Sequence, residues 1–210
     1  MRGRFITFEG GEGCGKSTQI RLLAERLRAA GREVLLTREP GGTALAERIR
    51  GLVREISDEP PNARAETLLF LASRAQLVGE RIIPALESGT WVLCDRFADS
   101  TFAYQGYGRG LDLAELKRLN SFAAFGLVPD RTFLLDVSPE TAATRMRKRE
   151  QATNTAADRM ELAGDGFHAR LKQGFLELAA AEPERFEVIP ADGAIEEIEE
   201  RIWNSIRLMV

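Results

Sequence analysis

The sequence predicts an α/β fold in three layers, a parallel sheet with helices on both faces. Three observations predict it. Apolar strand-like runs alternate with helical patterns along the whole chain. The runs are mostly continuously apolar, as expected of strands covered on both faces. The first run breaks off into glycines that lead straight into a helix. In such folds ligands sit outside the carboxyl ends of the strands, so chemistry is expected just after each run.

The elements follow in order. Phe5-Ile6-Thr7-Phe8-Glu9 is the first strand. Ser17 to Ala30 places Ile20, Leu23 and Leu27 at helical spacing, and Gly31 stops the helix. Glu33 to Thr37 is the second strand. Pro40-Gly41-Gly42 turns the chain, and Thr43 caps a helix running to about Ile56. After the loop Asp58-Glu59-Pro60-Pro61, one long helix is expected from Asn62 to about Glu87, bent near Pro84. Trp91 to Cys94 is the third strand. A glycine-rich loop is expected at Gly106 to Gly110, then a helix capped by Asp112. Thr132 to Asp136 is the fourth strand, and Glu140 opens a helix. Residues 147–160 are polar and charged, suiting a lid better than a linker, because helix and strand resume after them. A helix from about Met160 to Ala181, a fifth strand at Phe186 to Ile189 and a helix from Ile195 to Leu208 complete a single expected domain over 1–210.

Composition narrows the function. The 29 basic and 32 acidic residues of this 210-residue chain leave a net charge of −3, which argues against a protein that coats nucleic acid. Of the basic residues only Lys16, Lys117, Lys148 and Lys172 are lysine; the other 25 are arginine. A G+C-rich genome accounts for most of that bias, and fixed forks for phosphate account for particular positions. Cys14 and Cys94 are too few for a disulfide scaffold, and His168 stands alone, so no zinc cluster is expected. No signal-peptide pattern and no long apolar run occur, which predicts a cytoplasmic protein without a membrane partner.

Gly10-Gly11-Glu12-Gly13-Cys14-Gly15-Lys16-Ser17 fits G-x-x-x-x-G-K-S/T, between a strand and a helix. Its glycines let backbone N–H groups point at phosphate oxygens beside a helix N-terminus. Lys16 can reach the β- and γ-phosphates, and Ser17 can ligate Mg²⁺. Cys14 reads as a small side chain tolerated in the loop. The rest of the phosphate cradle extends to Thr18. This is a P-loop NTPase fold, and the motif alone leaves the reaction open.

Residues after the other strands narrow it. Thr37-Arg38-Glu39-Pro40-Gly41-Gly42-Thr43 follows the second strand and Asp95-Arg96-Phe97 the third. Phe70-Leu71-Ala72-Ser73-Arg74 lies on the long helix, and Ser100-Thr101-Phe102-Ala103-Tyr104-Gln105-Gly106 comes later. With the P-loop, this order resembles the bacterial-type thymidylate kinases, nucleoside-monophosphate kinases with a five-stranded parallel sheet. The resemblance covers nearly the whole chain. It implies transfer of the ATP γ-phosphoryl to dTMP with Mg²⁺, and a homodimer. It further implies that Phe70 stacks on thymine and Arg74 bonds the base, with Thr101 and Gln105 lining the base pocket. Tyr104 would lie under the deoxyribose, Arg38 and Arg96 would hold the monophosphate beside Pro40, and Glu9 would lie by the sugar and Mg²⁺ region. In such kinases the catalytic cations sit in the lid, in keeping with the absence of a basic residue at positions 11–14.

The residues themselves support part of this. Arg38 and Arg96 follow strand ends, on the rim of the P-loop, and arginine forks suit phosphate. Surface pairs Arg38–Glu39 and Arg96–Asp95 are the competing reading. Asp95 can sit near Mg²⁺ as the acid after a Walker-type strand. Phe70 taken alone reads as core, but Arg74 one turn on shares its face. Among the lid cations, Arg147, Arg149 and Arg159 are the expected catalytic ones, ahead of Arg145 and Lys148. His168 is expected on a helix surface. Two other readings stay open: a deoxynucleoside kinase acting on thymidine, which would need Glu9 or Asp95 as base, and an NTP-dependent switch. A guanine-reading N-K-x-D string does not occur.

Overall fold

A computed structural model describes residues 2–153, 159, 160, 162 and 164–210. Strands β1 (Phe5–Glu9), β2 (Val34–Arg38), β3 (Trp91–Asp95), β4 (Arg131–Asp136) and β5 (Phe186–Pro190) form one parallel sheet in the order β2-β3-β1-β4-β5. Register aligns Phe8 with Asp95 and Phe133, so the carboxyl ends of β1 and β3 open on the same edge. Side chains alternate across the strands. Ile6, Phe8, Leu93 and Phe133 pack with Ile20, Leu23 and Leu27 of α1 (Lys16–Ala29) and Ile198 and Ile202 of α9 (Ile195–Ile206). Phe5, Val92, Cys94 and Phe97 pack on the other face against Leu77, Ile82 and Leu86. The two apolar layers give the three-layer architecture its core.

Caps sit where expected: Thr43 Oγ1 accepts from Ala46 N at 3.2 Å ahead of α2 (Ala44–Arg54), and Asp112 accepts from Glu115 N at 2.7 Å ahead of α6 (Leu113–Ala123). Three local expectations are corrected. The long helix is α3 (Ala63–Leu77), a π-helical turn at Val78–Ile82, then α4 (Ile83–Glu87). Pro84 has no N–H for the carbonyl of Glu80, and the widened turn, with Ile83 N bonded to Val78 O, absorbs the misfit. The segment read as a glycine loop is helical: α5 (Ala98–Thr101) runs into a second π-helical stretch, Phe102–Gly108. Gly108 tolerates no side chain there, because Phe167 packs on it and a Cβ would lie 2.5 Å from the ring. The helix expected from Met160 begins at Asp165, as α8 (Asp165–Ala181), after Gly164 at φ +84°. α7 (Pro139–Thr153) precedes it, and residues 154–158 of the expected lid lie outside the described residues. His168 is half-buried on α8, edge-on to Phe167.

Candidate active site

A cleft of about 730 Å³ opens along the carboxyl ends of β1, β2 and β3. Glu12 to Thr18 line one end. Gly10 has φ +131° and Gly13 φ +71°; a Cβ on either would lie 2.6 Å from a carbonyl oxygen, Leu135 and Ala142 respectively. Only glycine permits this curl. Lys16 Nζ donates to the carbonyls of Gly10 (3.2 Å) and Gly11 (2.9 Å), which centres its ammonium in the ring of the loop. Cys14 is buried beside it, with Sγ 3.5 Å from Nζ. Ser17 Oγ donates to Asp95 Oδ2 at 3.0 Å, joining the start of α1 to the end of β3.

Arg96 sits between the two ends of the cleft. Its φ of +69° is costly for a residue with a Cβ and persists only when its surroundings over-determine it. They do: Arg96 donates to Glu12 Oε1 (2.6 Å) and Gly10 O (2.9 Å), and its guanidinium lies over the Tyr104 ring at 5.2 Å. The competing reading, a surface pair with Asp95, is not what forms; Glu12 is the partner. Burial pushes the Glu12 carboxyl up, but Arg96 and Lys16, with Arg149 behind them, outweigh it and hold it at about 2. Glu9 is fully buried beneath this layer and does not line the cleft. It accepts from Phe97 N (2.8 Å) and from Ser100 Oγ (2.7 Å), and so fixes the turn that carries Arg96. Burial, then the Asp99 carboxylate, push Glu9 up to about 7 against the pull of Arg96 and these donors.

The far end is lined by Pro40, Phe70, Arg74, Thr101, Tyr104 and Gln105. Phe70 is half-buried and faces the cleft, while its neighbour Leu71 takes the core position. Arg74 is 2% exposed, and all five of its N–H groups are engaged: Nε (2.9 Å) and one Nη2–H (2.6 Å) with Glu39 Oε2, the other Nη2–H with Phe97 O (3.0 Å), and the Nη1 pair with Thr101 Oγ1 (2.9 Å) and Asn120 Oδ1. Arg38 lines the cleft from the β2 end, paired with Glu47 through 3.0 and 3.1 Å bonds; Glu39, its partner in the competing reading, is taken by Arg74.

The thymidylate kinase family model matches residues 8–202. The chain belongs to the thymidylate kinase family. It is 50% identical to a thymidylate kinase of Cutibacterium acnes over 206 residues, covering 98% of this chain and 97% of that one. Identity is 49% over 207 residues to a thymidylate kinase of Deinococcus radiodurans, with 98% and 97% covered. The crystal structure of a thymidylate kinase from Ehrlichia chaffeensis superposes with a TM-score of 0.79 at 33% identity, covering 98% of this chain and all of that one.

Within this thymidylate kinase family member the lid cations are sorted by helical phase. Ala142 of α7 touches Gly13, so the face bearing positions 142, 145 and 149 meets the P-loop. Arg145 and Arg149 line the cleft, and Arg149 stands 3.6 Å from Glu12. Arg147, expected ahead of Arg145, is on the exposed side, bonded to Thr144 of its own helix, and does not line the cleft. Arg159 is drawn to the opposite end, bonded to Val53 O at 3.0 Å and to Glu66 at 2.7 Å, and it does not line the cleft. Sequence reasoning missed Glu39, Glu66 and Asn120, whose partners come from distant segments, and Arg50, which donates to Pro40 O at 3.0 Å. The amphipathic pattern of α2 gave the only signal for Arg50. Among the described residues no helix is long and apolar enough to cross a membrane.

Proposed function

We propose that this chain transfers the γ-phosphoryl of ATP to dTMP, releasing dTDP and ADP, as one kinase unit over 1–210 with a lid at about 147–160. The observation that carries the reading is the cleft itself. A phosphate-binding loop lines one end, a half-buried ring and a polar recess line the other, and Arg96 sits strained between them.

ATP phosphates take the N–H groups of Gly10 to Thr18, with Lys16 turning from the loop carbonyls to the β- and γ-phosphates. The acceptor phosphate takes Arg96 and Arg38, with Pro40 beside it, and the ring of the base lies on Phe70. An acceptor phosphate oxygen is already ionised at neutral pH, so no strong general base is required. The task of the protein is to bring two polyanions together and offset their repulsion with fixed cations, here Lys16, Arg96, Arg145 and Arg149. Glu9 supports Arg96 from below, and Tyr104 fills the space where a ribose 2′-hydroxyl would go.

Ser17 Oγ and Asp95 Oδ2, 3.0 Å apart at the rim, suit a hard cation that keeps most of its waters and takes one hydroxyl and one carboxylate. Ser17 and Asp95 would hold Mg²⁺ there, and it would supply positive charge beside the β- and γ-phosphates. A cytoplasmic homodimer is the proposed form of the enzyme.

An acceptor panel with ATP and Mg²⁺ tests the reading: dTMP, dUMP, ribose TMP, dCMP, AMP and thymidine, followed by ADP release. dTMP is expected to turn over best. Activity on thymidine with none on dTMP would overturn the assignment in favour of a nucleoside kinase. Slow hydrolysis with no acceptor phosphorylated would favour a switch.

A further inference from the structure

Glu66 is an acid in the first turn of α3, where the helix dipole favours any carboxylate. Its surroundings are not those of a surface acid. It is 1% exposed and receives donors from three distant positions: Gln105 Nε2 at 2.9 Å, Arg109 Nη2 at 3.2 Å and Arg159 Nη2 at 2.7 Å. Two guanidinium groups balance one carboxylate, and the remaining bond fixes an amide.

That bond has a chemical consequence. A carboxylate only accepts hydrogen bonds, so the Gln105 amide can meet it in one orientation, with its NH₂ toward Glu66. The carbonyl oxygen, Gln105 Oε1, is thereby left without a partner among the described residues, and it is not one of the buried orphan atoms. Gln105 lines the cleft beside Phe70. The neighbouring groups complete the pattern. Arg74 has no uncommitted N–H, and Thr101 Oγ1 already accepts from Arg74, which leaves the threonine O–H to donate. The recess thus presents one acceptor, Gln105 Oε1, and one donor, Thr101 O–H.

We infer that Glu66 is a positioning residue for base selection: by fixing the Gln105 amide it makes the recess accept a ring edge that offers an N–H beside a carbonyl, and reject the cytosine edge, which offers a bare ring nitrogen beside an amino group. This rests on the acceptor reading given above. Thymine and uracil share the favoured edge, so Glu66 separates both from cytosine and does not separate them from each other.

The test compares kcat/KM for dTMP, dUMP and dCMP at saturating ATP and Mg²⁺ in the wild type, Glu66→Gln and Glu66→Asp. Glu66→Gln can donate or accept, so the Gln105 amide is free to turn over. Glu66→Asp keeps the charge that Arg109 and Arg159 require and withdraws from Gln105, which preserves the test where Glu66→Gln does not fold. Loss of one oriented bond is expected to lower the dTMP-to-dCMP ratio by about tenfold in either variant. The change should appear as a higher KM for dTMP and dUMP together, with the KM for ATP unchanged. An equal fall for all three acceptors, leaving the ratio as it was, would reduce Glu66 to a packing residue and overturn the inference. A wild type that turns over dTMP and dCMP alike would overturn it too, while leaving the acceptor reading standing. A wild type that phosphorylates none of the three would overturn both.

Discussion

Glu39 Oε2 accepts two bonds from Arg74, at 2.9 and 2.6 Å, with both side chains shut away from water. The pair joins the cis Glu39–Pro40 turn after β2 to the middle of α3. Burial pushes Glu39 up and Arg74 pulls it down, and the first is the larger effect. Removing the cation would leave the acid buried alone, along with the carbonyl of Phe97 and the side chain of Asn120. Arg74→Ala is therefore expected to cost about 3–5 kcal/mol of stability, a loss read by urea unfolding. It should also weaken dTMP more than ATP, because the turn and helix it joins are walls of the acceptor recess. An unchanged unfolding midpoint would refute the structural half of this expectation, and an unchanged KM for dTMP the other half.

Lys16→Ala should leave the secondary structure intact and reduce turnover by a factor on the order of 10²–10³ or more. Circular dichroism and a coupled ADP assay on the same sample measure both. Near-normal turnover would remove the P-loop from the mechanism.

Helical phase on α7 gives a contrast within one helix. Arg145→Ala and Arg149→Ala should each lower kcat by about tenfold or more. Arg147→Ala, which loses only an exposed contact to Thr144, should stay within about twofold. The reverse ranking in single-turnover measurements would place the other face of the helix over the nucleotide.

Glu9 gives a pH signature in the unliganded protein. Its carboxyl ordinarily titrates at 4.5 and is pushed up to about 7 when buried. Between those values the unfolded chain has released a proton that the folded protein still holds. Stability from this group is therefore full below about 4.5, declines as pH rises, and levels off above about 7. Glu9→Gln should flatten that part of the profile in thermal unfolding against pH. A variant whose profile still falls across the window would assign the slope to another group.

The order of elements was legible because the strands are mostly apolar runs and several helices carry a cap or stop, as at Thr43, Asp112 and Gly31. The P-loop was legible because its chemistry is local. The Glu39–Arg74, Glu66–Gln105 and Arg96–Glu12 partnerships were not, since each joins segments far apart in the chain. The competing neighbour pairings Arg38–Glu39 and Arg96–Asp95 are absent, their places taken by Glu47 and Glu12. The π-helical stretch at Phe102–Gly108 was hidden for a related reason: its glycines serve close packing, Gly106 against Leu113 of α6 and Gly108 against Phe167 of α8, not a turn. Which side of α7 faces the P-loop was not legible until the contact of Ala142 with Gly13 set its phase.

That last contact has an evolutionary reach. A carbonyl from α7 occupies the space where any side chain at position 13 would begin. The loop therefore cannot acquire an arginine there by point mutation without displacing the very helix that now carries Arg145 and Arg149. At position 13, a side chain on the loop and the present seating of α7 exclude each other sterically. A side chain can enter at position 13 only together with a shift of α7.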